Sequence, residues 1–176
     1  DRAKLDDLAA DLADAGVTAR GYSADVRDGE SLGAALVAAA ADLGPITALQ
    51  YSPLPSRAYL QPVLDLTPEV ALEALRFSAL GLIAAVRAVL PAMRARGRGQ
   101  IALVSSLAGY FGLPVTPTYS ATKAGLKAYG EALRGWLAPE GIRVNVVMPG
   151  YVKSFMCDDM PGPKPFLWSP ERAARA

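Results

Sequence analysis

The sequence predicts an α/β protein in which helices cover both faces of a parallel sheet, a doubly wound arrangement. Helical and strand patterns alternate along the chain, and the helical patterns end at glycine or proline, which indicates short connections between them. Hydrophobic residues make up 52% of the 176 residues, enough for one buried core. Since no repeat or low-complexity linker interrupts the pattern, we expect a single domain over residues 1–176.

The first elements follow from leucine and alanine spacing and from the residues that stop it. A helix is predicted over Lys4–Ala15, where apolar residues recur at helical spacing before Gly16. Val17–Ala24 is predicted as a strand. Glu30–Leu43 is predicted as a second helix, because its Ala- and Leu-rich pattern stops at Gly44-Pro45.

A buried strand is predicted over Ile46–Tyr51, and prolines exclude a helix from the loop Ser52–Pro62. Thr67 and Pro68 provide an N-cap and a first helical residue for a long helix that extends to about Arg96. The remaining predicted elements are a strand, a helix, a strand, a loop and one helix start: Gln100–Val104, Thr118–Ala138, Arg143–Met148, Tyr151–Trp168 and Ser169–Glu171.

Composition excludes several classes of function. Eighteen basic and 17 acidic residues leave no positive surplus for nucleic acid. The absence of histidine excludes Ser-His-Asp triads and His-ligated zinc, and Cys157, the only cysteine, has no partner within the chain, so we expect no metal site. The longest apolar runs, Leu32–Ala41 and Phe77–Val86, are too short for a bilayer. We therefore expect a cytoplasmic protein without membrane or nucleic-acid partners.

Tyr119 and Lys123 are the sharpest chemical feature of the sequence. Four residues make one helical turn, so the phenol and the ammonium share a helix face. A neighbouring cation favours the phenolate and is expected to lower the tyrosine pKa, which gives a proton donor and acceptor without histidine. Ser106, thirteen residues before Tyr119, ends a predicted strand, where its hydroxyl could bind the same substrate oxygen.

The alternative interpretation is an ordinary solvated Tyr–Lys pair on a helix surface. A serine, tyrosine and lysine at these two spacings arise by chance in about one in a hundred sequences of this composition. The additional requirement that the serine follow a strand and the tyrosine lie on the next helix lowers that expectation further.

These residues carry a family resemblance. Val104-Ser105-Ser106, the Tyr119 and Lys123 pair, and Pro149–Ser154 resemble the short-chain dehydrogenase/reductases, over nearly the whole chain and in the family's order. The resemblance implies a Rossmann-like fold and an enzyme that uses NAD or NADP to interconvert a small-molecule carbonyl and a secondary alcohol. It implies that Tyr119 is the general acid/base, that Lys123 lowers its pKa and holds the nicotinamide ribose, and that Ser106 orients the substrate.

The resemblance also implies a set of cofactor contacts at the strand ends. Asp25 and Val26 match the pair that holds adenine, although an aspartate at a strand end can also cap the following turn. Ser52 follows the next strand. Pro149 and Gly150 match the backbone turn beside the nicotinamide, although Pro-Gly turns are common. The carboxamide contacts fall on Val152 and Ser154.

Two departures from the family pattern favour an alternative function. Tyr51–Leu54 stands where the family usually has Asn-Asn-Ala-Gly, and the added proline removes an N–H donor. Ser78 stands where the family has a catalytic asparagine, and its shorter side chain reaches less far. The alternative is a degenerate scaffold that has a binding or assembly role and no redox turnover.

Three further expectations concern the surroundings of this site. The family's glycine-rich phosphate turn is absent before Asp25, so we expect it and the first strands to lie upstream, outside this sequence. Phe155–Trp168 is expected either to cover a hydrophobic substrate or to form a plain surface loop. Small residues on the long helix and on the Tyr119 helix are expected to form a homodimer or homotetramer interface, or else to pack against the chain's own sheet.

Overall fold

A computed structural model of the chain describes residues 2–160 and 162–175, except the Asp159 side chain. The described residues form seven α-helices and three β-strands. The helices are α1 (Arg2–Asp14), α2 (Gly29–Leu43), α3 (Pro68–Leu75), α4 (Gly81–Arg96), α5 (Pro117–Leu137), α6 (Phe155–Asp159) and α7 (Pro170–Arg175). The strands are β1 (Ala48–Tyr51), β2 (Gly99–Val104) and β3 (Ile142–Val147).

The three strands form one parallel sheet in the order β1-β2-β3, which confirms the predicted α/β class. Ile101 on the central strand pairs with Leu49 on one side and Val144 on the other. The core lies where α4 and α5 pack against this sheet. Its most deeply buried large side chains come from α4, β2, α5 and β3: Leu82, Met93, Ile101, Leu103, Leu137 and Ile142.

The long helix predicted after Thr67 is confirmed, with one departure. The Thr67 hydroxyl accepts from the Val70 amide at 3.4 Å, as an N-cap does, and Gly97 ends the helix with a left-handed φ of 61°. Between α3 and α4, residues Arg76–Leu80 form a π turn instead of α-helix. The whole segment Pro68–Arg96 is long and apolar enough to span a bilayer by length and composition alone, although its α4 half buries seven residues, as a core helix does.

The predicted strand Val17–Ala24 is wrong, since no residue of that segment pairs in the described sheet. A strand needs a hydrogen-bonding neighbour, and within the described residues β1 pairs only with β2. The segment is held by side chains instead: the Tyr22 hydroxyl and the Arg20 guanidinium both donate to the Asp42 carboxylate of α2, at 2.7 and 3.0 Å.

The predicted loop Tyr151–Trp168 is partly wrong, because it contains the short helix α6 and one β-bridge. The Ser154 hydroxyl accepts from the Cys157 amide at 3.2 Å and so caps α6. Val152 pairs with Trp168 in an isolated parallel bridge. After β3 the chain therefore forms the short helix α6 and then returns, so that Trp168 lies beside Val152.

The small residues of α4 and α5 have different environments. On α4, Gly81 and Ala85 are buried, and Ala84 packs against α2, where a Cβ on Gly29 would lie 3.2 Å from it. On α5, Gly125 and Ala128 are exposed. The α4 residues therefore pack within the chain, whereas the α5 face is open.

Candidate active site

The predicted catalytic residues lie at the carboxyl end of β2 and in the first two turns of α5. β2 ends at Val104, and Ser106 caps a 3₁₀ turn by accepting from the Ala108 amide at 3.2 Å. Pro117 begins α5, which places Tyr119 in its first turn and Lys123 one turn later. The structure thus brings together the serine, the tyrosine and the lysine that the sequence pattern selected.

Two contacts define the geometry of this group. The Ser106 hydroxyl interacts with the Tyr119 phenol in the sense that favours the phenolate. The Lys123 ammonium lies 5.7 Å from the centre of the Tyr119 ring. Because Tyr119 is only 8% exposed, its phenol is largely desolvated, and desolvation acts on its proton affinity more strongly than Ser106 does.

Lys123 is hydrogen-bonded through its side chain and its backbone to the end of β2 and the residue that follows it. Its ammonium donates to the Val104 carbonyl at 3.0 Å, and its backbone carbonyl accepts from the buried Ser105 hydroxyl at 2.7 Å. A Cβ on Gly109 would lie 2.9 Å from the same Lys123 carbonyl, so only glycine fits there without a shift. The sequence pattern assigns no role to Gly109, and the Ser-Ser pair after a strand is the one signal that could have indicated the role of Ser105.

The expected lowering of the tyrosine pKa is wrong for this structure. Burial raises the pKa of Tyr119, because desolvation disfavours the phenolate, and the Ser106 hydrogen bond opposes that rise. Burial also lowers the pKa of Lys123 to about 8, because desolvation disfavours the ammonium. A prediction from the lysine charge alone fails here because burial desolvates both groups.

Replacement of Ser105 tests the attachment of Lys123. We expect Ser105→Ala to lower the free energy of unfolding by about 0.5–1.5 kcal/mol, since it removes the hydrogen bond that the Lys123 carbonyl accepts in addition to that of its own helix. Urea unfolding measures this change. The exposed Ser23 provides the matched control, and Ser23→Ala should change stability by less than about 0.5 kcal/mol. Equal stability of the two variants would show that the Ser105 hydrogen bond contributes nothing.

A narrow pocket adjoins Tyr119 and Lys123. Its walls come from α5, from the end of α3 and the π turn, and from the proline-rich loop after β1: Pro53, Pro55, Tyr59, Ala74, Phe77, Ser78, Tyr119, Thr122, Lys123 and Leu126. Tyr59 is buried, and its ring packs against that of Phe77 at a centroid distance of 5.7 Å. Among these described lining residues Lys123 alone is charged. The pocket therefore suits an uncharged, largely apolar group.

The predicted adenine contacts, Asp25 and Val26, follow the unpaired segment before α2. Both Asp25 oxygens accept from the Arg27 guanidinium, at 2.8–3.2 Å, and this pairing lowers the pKa of the carboxyl to about 2. The side chain is nevertheless about half exposed. Val26 lies beside the long helix, where its carbonyl would contact a Cβ on Gly81.

The predicted nicotinamide turn adjoins Ser106, the serine predicted to be catalytic. The Pro149 carbonyl accepts from the Leu107 amide at 2.9 Å, and a Cβ on Gly150 would lie 3.3 Å from the Leu107 side chain. Leu107 immediately follows Ser106, so the structure brings the ends of β2 and β3 together. Ser52 is exposed directly after β1, at the same edge of the sheet.

The predicted carboxamide contacts are partly engaged by their own segment. The Ser154 hydroxyl accepts from the Cys157 amide and donates to the Val152 carbonyl at 3.3 Å. The bridge to Trp168 uses the Lys153 amide and the Tyr151 carbonyl, so the Val152 amide points to the other side of the backbone. Val152 can therefore offer a backbone donor, whereas Ser154 would have to give up its capping bond.

Comparison with known proteins gives consistent results. The family model "short chain dehydrogenase" matches residues 1–162. An uncharacterized oxidoreductase of Myxococcus xanthus is 46% identical over 87 residues, which cover 49% of this chain and 34% of that protein. Curated relatives of this kind are matched over about a quarter to a half of their own length.

Two solved structures extend the comparison to the fold. NAD⁺-bound xylitol dehydrogenase superposes with a TM-score of 0.83 at 29% identity, over 90% of this chain and 61% of that one. An NADPH-bound short-chain oxidoreductase from Pseudomonas aeruginosa PAO1, described as containing an atypical catalytic center, superposes with a TM-score of 0.82 at 26% identity, over 89% and 61%. From the family match and these superpositions it follows that the chain belongs to the short-chain dehydrogenase family and has its Rossmann-type, doubly wound α/β fold.

Proposed function

We propose that the protein is an NAD(P)-dependent oxidoreductase that interconverts a carbonyl and a secondary alcohol by hydride transfer. The observation that carries the proposal is the Lys123 ammonium, which the Val104 carbonyl holds 5.7 Å from the centre of the buried Tyr119 ring, beside the end of β2 where Ser106 lies. A buried phenol with one hydrogen-bond donor and one nearby cation can transfer a proton to or from a substrate oxygen. The oxidoreductase names and bound cofactors of the similar proteins support this assignment.

In this proposal each of the three residues has one task. In carbonyl reduction Tyr119 donates its proton to the substrate oxygen, and in alcohol oxidation its phenolate accepts that proton. Ser106 donates a hydrogen bond at the same position and orients the substrate. Lys123 stabilises negative charge on the Tyr119 oxygen, because its ammonium is held beside the ring by the Val104 carbonyl.

The residues present fit the nicotinamide end of the cofactor more completely than its adenine end. The bound cofactor would supply or accept the hydride. At the nicotinamide end, Lys123, Gly150 and the Val152 amide border the turn beside Ser106 and can hold a ribose and a carboxamide. At the adenine end Asp25 must exchange its Arg27 partner for an adenine amine. Because that ion pair is exposed to solvent, breaking it costs little free energy.

We further propose that the substrate is a small, uncharged and largely apolar molecule. Proline, phenylalanine, alanine and leucine side chains supply five of the ten residues that line the pocket beside Tyr119, and two tyrosine rings add further apolar surface. A carboxylate or phosphate group on the substrate would lose its hydration there, and Lys123 alone would compensate for its charge.

Coenzyme titration and turnover assays test the proposal on the full-length protein. We expect NADH or NADPH fluorescence to report saturable binding, and apolar ketones to be reduced faster than keto acids of similar size. Absence of binding of either coenzyme would support the alternative, a scaffold of this fold without redox turnover. Preference for the charged ketones would contradict the proposed substrate class.

The proposals on assembly and location rest on one exposed helix face and on composition. The exposed Gly125 and Ala128 face of α5 allows close approach of a second copy, which favours a homodimer or homotetramer. The α4 contribution to that surface is reduced, since Gly81 and Ala85 are buried within the chain. A cytoplasmic protein without nucleic-acid or membrane partners stays a prediction from composition.

A further inference from the structure

The π turn Arg76–Leu80 changes the hydrogen bonding of one buried carbonyl. In an α-helix the Gly81 amide would donate to the Phe77 carbonyl, four residues before it. Here the Gly81 amide donates to Arg76 instead, five residues before it. The Phe77 carbonyl is thereby released from its α-helical donor at the lip of the pocket that contains Tyr119.

Tyr51 supplies the replacement donor. Its hydroxyl donates to the Phe77 carbonyl at 2.8 Å, from the last residue of β1, and the tyrosine itself is only 5% exposed. Gly81 makes room for this phenol, since a Cβ there would collide with the Tyr51 hydroxyl and with the Val26 carbonyl. The three features depend on one another: Gly81 leaves space for the Tyr51 hydroxyl, and that hydroxyl binds the Phe77 carbonyl that the π turn leaves without a helical donor.

We infer that Tyr51 is a positioning residue that holds the π turn in register, and through it the orientation of Phe77 and Ser78 beside Tyr119. The inference rests on the proposed function for its catalytic consequence and on the hydrogen bond for its structural one. A shift of one residue in helical register rotates a side chain by about 100°, which would turn Ser78 out of the pocket wall. Phe77 would at the same time lose its place against Tyr59.

Tyr51→Phe tests the inference, because it removes the hydroxyl and keeps the buried ring. Without the donor, the Phe77 carbonyl regains a partner only if the helix returns to α register. We expect hydrogen exchange in residues 76–82 to become about tenfold faster and kcat to fall about tenfold, while the dissociation constant for NADH or NADPH stays within about twofold. Exchange in β2 should not change. A merely structural loss of stability would accelerate exchange in β2 as well.

Two further variants make the result interpretable. Gly81→Ala should reproduce the faster exchange and the lower kcat, because the added methyl group displaces the Tyr51 hydroxyl. Helix propensity alone would predict the opposite result, since alanine favours helix more than glycine does. Tyr22→Phe removes a phenolic hydrogen bond to Asp42, far along the chain from the π turn, and should change neither property.

The two proposals fail separately. Wild-type exchange rates in Tyr51→Phe would overturn the anchoring role whatever the activity, and faster exchange with an unchanged kcat would overturn the positioning role. If the wild-type protein reduces no carbonyl compound, the proposed function fails, while the exchange measurement still decides whether Tyr51 holds the π turn.

Discussion

Tyr119→Phe is expected to lower kcat/KM for carbonyl reduction by about 10²–10⁴-fold while the protein stays folded. In the proposed mechanism the phenol transfers the proton, and general acid/base groups contribute acceleration of this size. Phenylalanine keeps the ring in its buried place and removes the hydroxyl that interacts with Ser106. Consumption of NADH or NADPH measures the rate, and urea unfolding measures stability, which should fall by only about 1 kcal/mol.

The informative comparison is with Tyr22→Phe, which removes another phenolic hydrogen bond at 2.7 Å and should keep wild-type kcat/KM. A Tyr119→Phe protein with undiminished turnover and wild-type stability would remove the proton-transfer role from this residue. The Ser106, Tyr119 and Lys123 group would then be a structural hydrogen-bond cluster.

The second large effect is the pH dependence that Lys123 imposes. Its pKa of about 8 means that the stabilising ammonium is present below that pH and lost above it. The pKa of Tyr119 is raised above its ordinary value of 10.0, so the phenol keeps its proton throughout this range. We therefore expect kcat/KM for reduction to be level below pH 8 and to fall about tenfold per unit above it.

Replacement of Lys123 identifies the source of that fall. Lys123→Met keeps the length of the side chain and removes the charge, so we expect an activity about a hundredfold lower that no longer changes around pH 8. Lys123→Arg keeps a charge at all these pH values and should move the fall above pH 10. A fall at pH 8 that persists in Lys123→Met would assign it to another group.

Loss of folding does not explain a fall of activity above pH 8. Burial lowers the folded-state pKa of Lys123 from 10.5 to about 8, so between these values the unfolded chain binds more protons than the folded one. Stability then rises with pH across that window, as far as this group contributes. Urea unfolding at pH 7 and pH 9 separates the two effects, since activity and the contribution of Lys123 to stability should change in opposite directions.

Most of the fold could be predicted because its signals are local. Thr67 and Pro68 begin the long helix and Gly97 ends it, where the sequence places a cap, a first residue and a stop. The predicted strand Val17–Ala24 is wrong, because strand formation depends on a neighbouring strand that the residues of the segment do not specify. The Tyr22 and Arg20 contacts with Asp42 hold that segment instead.

The sequence by itself determined the identity and spacing of Ser106, Tyr119 and Lys123, because one helical turn and one strand end are local geometry. Only the tertiary structure decided their protonation, since burial, which raises the pKa of Tyr119 and lowers that of Lys123, comes from distant segments packed around them. It also decided the bond from Tyr51 to Phe77, which joins residues 26 positions apart through a helical irregularity. Spacing along a chain specifies which groups share a helix face, and desolvation and long-range hydrogen bonds depend on what the completed fold places next to them.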